Sequence, residues 1–152
     1  MTLHDILKGK GTHVHTIHPG ATLQEAVEEL IRHNVGSLVV CDRDERSAEQ
    51  LVGIVTERDV LHVCAAGRGP LASIPVAEIM TRDLITCSPD DAAEQAMGVM
   101  TTHRVRHLPV LAKGRLVGLI SIGDLLKAQH ARLAMENEFM KSYIIGTERR
   151  AT

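Results

Sequence analysis

The chain has 152 residues, 24% of them charged, and a formal net charge of -2, which suits one ordinary domain or two small halves sharing a core. The balance argues against a general nucleic-acid binder, which carries a basic excess, and with no Trp, one Tyr and one Phe there is no stacking platform for single strands. Cys41, Cys64 and Cys87, odd in number and set among apolar neighbours, read as small core residues of a reducing compartment, not as a disulfide framework.

The start, Met1-Thr2-Leu3-His4-Asp5, lacks a basic segment followed by an apolar one, and no apolar run reaches the length of a membrane span. A cytoplasmic protein without membrane contact is expected. Leu3, Ile6 and Leu7 form a short helical face before a flexible break at Gly9-Lys10-Gly11. His13 to Ile17 alternates as a strand does, and Pro19-Gly20 ends it. Thr22 then opens a helix with Glu25 in the capping-box position, and Leu23, Ala26, Val27, Leu30 and Ile31 set one stripe toward the core. Asn34 and Gly36 suit its exit. Ser37–Cys41 and Leu51–Val55 are strands of a hairpin with a charged connection from Asp42 to Gln50. After Thr56 a helix follows, with Val60, Leu61 and Cys64 at helical spacing, and the segment from Gly67 to Pro75 is the best linker.

From Leu84 the same order begins again. Setting residue n beside residue n + 70 pairs Thr16 with Thr86, Pro19 with Pro89, Ala26 with Ala96, His33 with His103 and Val40 with Val110. Beyond the hairpin the offset falls to 65, so Leu51-Val52-Gly53 and Asp59 meet Leu116-Val117-Gly118 and Asp124; a tight turn at Lys113-Gly114 accounts for the change. Two copies are too few for a solenoid. They predict a pseudo-twofold α/β (α+β) module of two β-α-β-β-α repeats, with equivalent clefts between the halves. Repeat 1 spans 7–66, repeat 2 spans 77–129, and a helical tail spans 130–152. Phe139 and Tyr143 share a face of that tail, as expected if it docks on its own domain or on a second subunit.

Each copy closes on Gly-φ-φ-[Ser/Thr]-x-x-Asp, where φ is apolar: Gly53 to Asp59, then Gly118 to Asp124. A strand that delivers the chain to a helix start brings free N–H groups and the positive end of the helix dipole, which favour an anion such as phosphate. An aspartate in the first turn can accept both hydrogen bonds of a ribose diol. The Gly is expected to keep a side chain out of the cleft. The same spacing is also that of a capping box, and capping by Thr56 or Ser121 is compatible with ligand contact.

The duplication, the element order, both closing motifs and Arg106-His107-Leu108-Pro109-Val110 together resemble a tandem cystathionine-β-synthase (CBS) domain pair, the Bateman module, from Val14 to Lys127. Glu78-Ile79-Met80-Thr81 and Ser142-Tyr143-Ile144 are similar to segments of small stand-alone bacterial members. The resemblance implies a non-catalytic sensor of adenine nucleotides, AMP first, with ADP, ATP or NAD as further ligands and no required cofactor. It also implies a homodimer and a protein effector as partners. In that family basic residues of one copy face the ribose aspartate of the other. This pairs Arg106 and His107 with Thr56 and Asp59, and Arg58 adds a cation where the second copy has Gly123. Ser121 and Asp124 would form a second cleft with weaker phosphate contacts. Without aromatics adenine would lie between aliphatic walls, at Ile85, Thr86 and Pro89 and at their counterparts His15, Thr16 and Pro19. S-adenosylmethionine would use much the same aspartate and wall.

Two other readings follow from the residues. His13, His15 and His18, or His103 with His107, suggest a Zn or other transition-metal site, although no Cys or carboxylate stands at ligand spacing. No nucleophile with an evident base and no phosphate-loop Lys is present, so an enzyme is not expected.

Overall fold

The computed structural model describes residues 1–46 and 48–151, without the side chains of 147–151, so the end of the expected tail lies outside the described residues. The elements run α1 (Leu3–Lys10), β1 (Thr16–Ile17), α2 (Leu23–His33), β2 (Ser37–Arg43), β3 (Glu49–Thr56), α3 (Glu57–Ala66), a 3-10 turn (Leu71–Ser73) and α4 (Val76–Ile79). The second half follows with α5 (Ala93–His103), β4 (His107–Ala112), β5 (Arg115–Ser121) and α6 (Ile122–Ala151). Among the described residues no helix is long and apolar enough to cross a membrane.

Local chemistry sets most of these limits. Thr2, Thr22 and Thr56 each cap a helix through reciprocal hydrogen bonds with the acid three residues on, Asp5, Glu25 and Asp59. Asn34 and Arg104 end α2 and α5 in the left-handed region, at φ 51° and 55°. Lys113 and Gly114, both at positive φ, form the turn between β4 and β5. The break expected at Gly9-Lys10-Gly11 is displaced: α1 continues through Lys10, and Gly11 closes it at φ 103° with its N–H on Leu7 O at 2.7 Å.

The first sheet has the order β1-β2-β3, with β1 parallel to β2 and β2 antiparallel to β3. The second sheet is the antiparallel pair β4-β5. The strand expected over His13–Ile17 shortens to Thr16–Ile17. Its counterpart in the second half is reduced to one bridge, between Cys87 and Val110. Both hairpins are irregular at the same repeat position, Val40/Cys41 and Val110/Leu111, so the duplication extends to the register. The first hairpin's connection is shorter than expected because pairing reaches Arg43 and Glu49. Asp44 Oδ1 accepts the Arg46 and Ala48 N–H groups across the turn.

Two hydrophobic cores form, and they exchange their leading helices. Ile74, Val76 and Met80 pack with Leu23, Leu38 and Val55, whereas Leu3, Ile6 and Leu7 pack with Met100, Leu108 and Ile120. Main-chain bonds repeat the exchange. Leu3 N and His4 N donate to Asp91 O and Pro89 O, while Val76 N and Ala77 N donate to Ala21 O and Pro19 O. The motif glycines serve this contact and not the cleft. A Cβ on Gly53 would stand 2.7 Å from Met80 Sδ, and one on Gly118 2.6 Å from Leu7 Cδ2.

Several expected core positions lie outside. Ile31 is 75% exposed and Leu61 66%, and Val63 takes the inner place in α3. Cys41 is buried and Cys87 half-buried, but Cys64 is exposed. Residues 129–146 of α6 are all exposed, Phe139 to 72%, so this length of helix joins neither core.

Candidate functional site: a cleft between the repeats

Where β3 passes into α3, the chain faces the entry to β4. Between them lies a cleft of about 410 Å³ bordered by Thr56, Glu57, Arg58 and Asp59 on one side and by Arg104, Arg106, His107 and Ile85 on the other. The structure thus brings together six residues singled out from the sequence: Thr56, Arg58, Asp59, Ile85, Arg106 and His107. Thr86 and Pro89 do not border it. Thr86 is exposed, and Pro89 lends its carbonyl to His4 N.

Asp59 is already half engaged. Its Oδ2 accepts the Thr56 N–H at 2.8 Å and the Thr56 hydroxyl at 3.1 Å. Oδ1 makes no hydrogen bond among the described residues and is left to receive a donor from the cleft. Capping and ligand contact therefore use different oxygens of one carboxylate. The backbone is anchored on both walls, by Glu57 N on Gly36 O at 3.0 Å and by Ile122 N on Arg106 O at 2.8 Å. Ile54 and Thr81 exchange main-chain hydrogen bonds at the floor.

Charge is divided across this cleft. Arg104 and Arg106 stand on the second-repeat wall, Arg58 opposite them, and Glu57, Asp59 and Asp83 supply the carboxylates. His107 has its pKa pushed below the ordinary 6.5, first by burial and then by the Lys10 charge; Asp124 works in the opposite direction. A phosphate would reverse part of that balance, because an anion beside the ring favours its protonated form.

The equivalent position in the other half is built differently. Ser121 N donates to Asp124 Oδ2 at 2.8 Å and Asp124 N to Ser121 Oγ at 3.1 Å, which repeats the cap. Lys10 Nζ, however, donates to the same Oδ2 and to Leu119 O, each at 2.6 Å. Burial by itself raises the Asp124 pKa, but the Lys10 hydrogen bond and the Ser121 N–H outweigh it and hold the carboxyl below its usual range. His15 stacks on His33 at 3.8 Å and meets His13 edge-on at 4.7 Å. Thr16 is exposed and pairs with Val39 in the sheet.

Among the described residues no group of three or more His, Cys, Asp or Glu could hold a metal. His13 and His15 meet ring to ring, His33 faces Glu29, and His18 faces Asp42. Sequence reasoning missed Glu57 and Asp83 at the cleft and Lys10 in the other half. Glu57 is next to Thr56 and Asp83 lies two positions from both Thr81 and Ile85, whereas Lys10 had no local signal.

The CBS domain model matches residues 10–66 and 76–131. The chain is 36% identical over 152 residues to the CBS domain-containing protein CBSX3, mitochondrial, of Arabidopsis thaliana, covering 95% of this chain and 72% of that protein. A putative signal-transduction protein with CBS domains from Burkholderia ambifaria superposes with a TM-score of 0.79 at 36% identity, over 86% of this chain and 95% of its own. The CBS domain pair of protein MJ0100, solved in complex with 5-methylthioadenosine and S-adenosyl-L-methionine, gives 0.74 at 27% identity, over 87% and 98%.

Proposed function

The chain belongs to the CBS-domain family, whose paired domains are regulatory ligand-binding modules, and from that premise we propose that it senses an adenine nucleotide without catalysing a reaction. One observation carries the reading. A single cleft sets a helix start and a carboxylate with a free oxygen, from the first repeat, against Arg104, Arg106 and His107 from the second. Asp59 Oδ1 would accept the ribose diol, the guanidinium groups would hold phosphate through charge-assisted hydrogen bonds, and Ile85 with Ile54 would line the base. Ligand that touches both repeats favours one arrangement of them over others, and a protein effector or a second copy would read that arrangement. Homodimerisation would use the exposed apolar residues of the helices, among them Leu61, Leu126 and Leu133. AMP is the ligand to try first, followed by ADP, ATP and NAD.

A second reading rests on the complex of MJ0100. 5-Methylthioadenosine and S-adenosylmethionine share the adenosine that Asp59 and Ile85 would hold. They lack the phosphate; Arg104 and Arg106 repel the sulfonium cation, and only the amino-acid carboxylate of S-adenosylmethionine would pair with them.

Thermal unfolding with each ligand tests both readings, since a ligand that binds only the folded state raises Tm with its excess over Kd. AMP is expected to stabilise, Asp59→Ala to lose most of the shift, and Arg106→Ala to weaken AMP but not methylthioadenosine. A flat response to every adenine ligand refutes the nucleotide reading.

A further inference from the structure

We propose that Lys10 is an intramolecular latch on the second ribose position, pairing with Asp124 so that the chain offers one strong ribose site and one weak one. The inference rests on the adenine-ligand reading above. By the repeat, Asp59 and Asp124 are the same residue, and both cap a helix through Oδ2. Besides the arginines of the first cleft, their surroundings differ in one donor at the strand end. In the first cleft, the carbonyl of Ile54 receives the Thr81 N–H at 2.9 Å, a main-chain donor that makes no bond to Asp59. In the second, the equivalent carbonyl of Leu119 receives the Lys10 ammonium, which reaches on to Asp124 Oδ2 at 2.6 Å.

A charge-assisted hydrogen bond is roughly twice as strong as a neutral one. Lys10 shares Oδ2 with the cap and leaves Asp124 Oδ1 without a hydrogen bond among the described residues, but its charge neutralises the carboxylate, so a neutral diol gains less at Asp124 than at Asp59. The pair is shielded on its acidic side, where the Asp124 side chain is 22% exposed. Nor is Lys10 on a loose arm. Leu3, Ile6 and Leu7 bury α1 in the second core, and Leu7 lies over Gly118, one residue from Leu119. The helix that completes the second core thus carries the cation to Leu119 O and Asp124. Among the described residues Lys10, Ser121 and His107 bear on Asp124, and of these Lys10 donates a charged hydrogen bond.

Calorimetric titration of AMP into the wild type, Lys10→Met and Lys10→Met/Asp124→Asn tests the latch. One strong site is expected in the wild type, a second in Lys10→Met, and one again in the double variant. Two sites of similar affinity in the wild type, or one strong site in Lys10→Met, overturns the proposal. Carbon-13 NMR titration of the Asp124 carboxyl is read in parallel, and it should titrate at lower pH in the wild type than in Lys10→Met. If no adenine ligand binds any of these proteins, the nucleotide reading fails and the carboxyl titration decides the latch. A midpoint that rises on removing Lys10 supports it, and an unchanged midpoint overturns it.

Discussion

Replacing Gly118 by alanine puts a methyl group into space that Leu7 fills. The new Cβ would stand 2.6 and 2.9 Å from the two Leu7 methyls and 3.3 Å from Cγ, where ordinary contact begins at 3.4 Å. Leu7 is 4% exposed, so it cannot simply turn outward. Overpacking of this kind costs about 1–3 kcal/mol. Against it stands a gain of roughly 0.5–1 kcal/mol, because alanine loses less backbone freedom on folding than glycine. The net destabilisation is then about 0–2.5 kcal/mol, a fall of up to roughly 10 °C in Tm for a chain of this size. Leu7→Ala alone leaves a cavity and costs about 2–5 kcal/mol. The two changes are complementary in volume, so Gly118→Ala/Leu7→Ala should cost less than the sum of its parts by at least ~0.5 kcal/mol. Urea unfolding of the four proteins measures the cycle directly. Strict additivity, or a Gly118→Ala protein more stable than the wild type, refutes the close approach of α1 to β5.

Gly53→Ala should be destabilising by a similar route, since its Cβ meets Met80 Sδ at 2.7 Å and the Thr81 carbonyl at 3.0 Å; its unfolding midpoint is the measure. Thr22→Ala removes the α2 cap and should cost about 1 kcal/mol by urea titration, with Thr22→Ser close to wild type. His107 titrates below 6.5 in the folded chain, so the unfolded state takes the proton first. Stability is then fully present above about pH 6.5 and is lost as pH falls toward the folded value, and His107→Gln should flatten that slope in melts taken across the window. Burial pushes the Cys41 and Cys87 thiols up to about 11, whereas Cys64 is exposed. Iodoacetamide at neutral pH should therefore label Cys64 alone in the native protein, as peptide mass mapping would show, and Cys64→Ser should abolish the fast phase.

The repeat was legible because its signals are local and periodic: capping acids three residues on, left-handed exits and a hairpin turn. The candidate cleft was placed by the family resemblance, which sets the closing motif of one repeat opposite the basic strand entry of the other. What was not legible depends on partners far along the chain. Leu3, Ile6 and Leu7 read as a helix face in either core, and their spacing does not say which core they enter. Lys10 finds Asp124 across 114 positions, and Lys in a Gly-Lys-Gly segment looks like a surface residue. Ile31 and Leu61 carry the hydrophobic signature of a stripe, yet each helix meets its core along a narrower line, through Leu23, Ala26 and Leu30 in α2 and Val60 and Val63 in α3. His13 and His15 alternate as strand residues do, but a strand needs a free neighbour, and β2 accepts pairing at Thr16 and Ile17.

The exchange of leading helices has a consequence for how such a chain can be cut or can arise. A chain holding one repeat would carry a helix that fits a second repeat and lack the helix that fits its own, so two copies would associate by domain swapping. Joining the copies through the segment at 67–75 turns that second-order encounter into an intramolecular one, at the effective concentration a short tether provides. The order of the gene and the order of the cores are therefore offset by one helix.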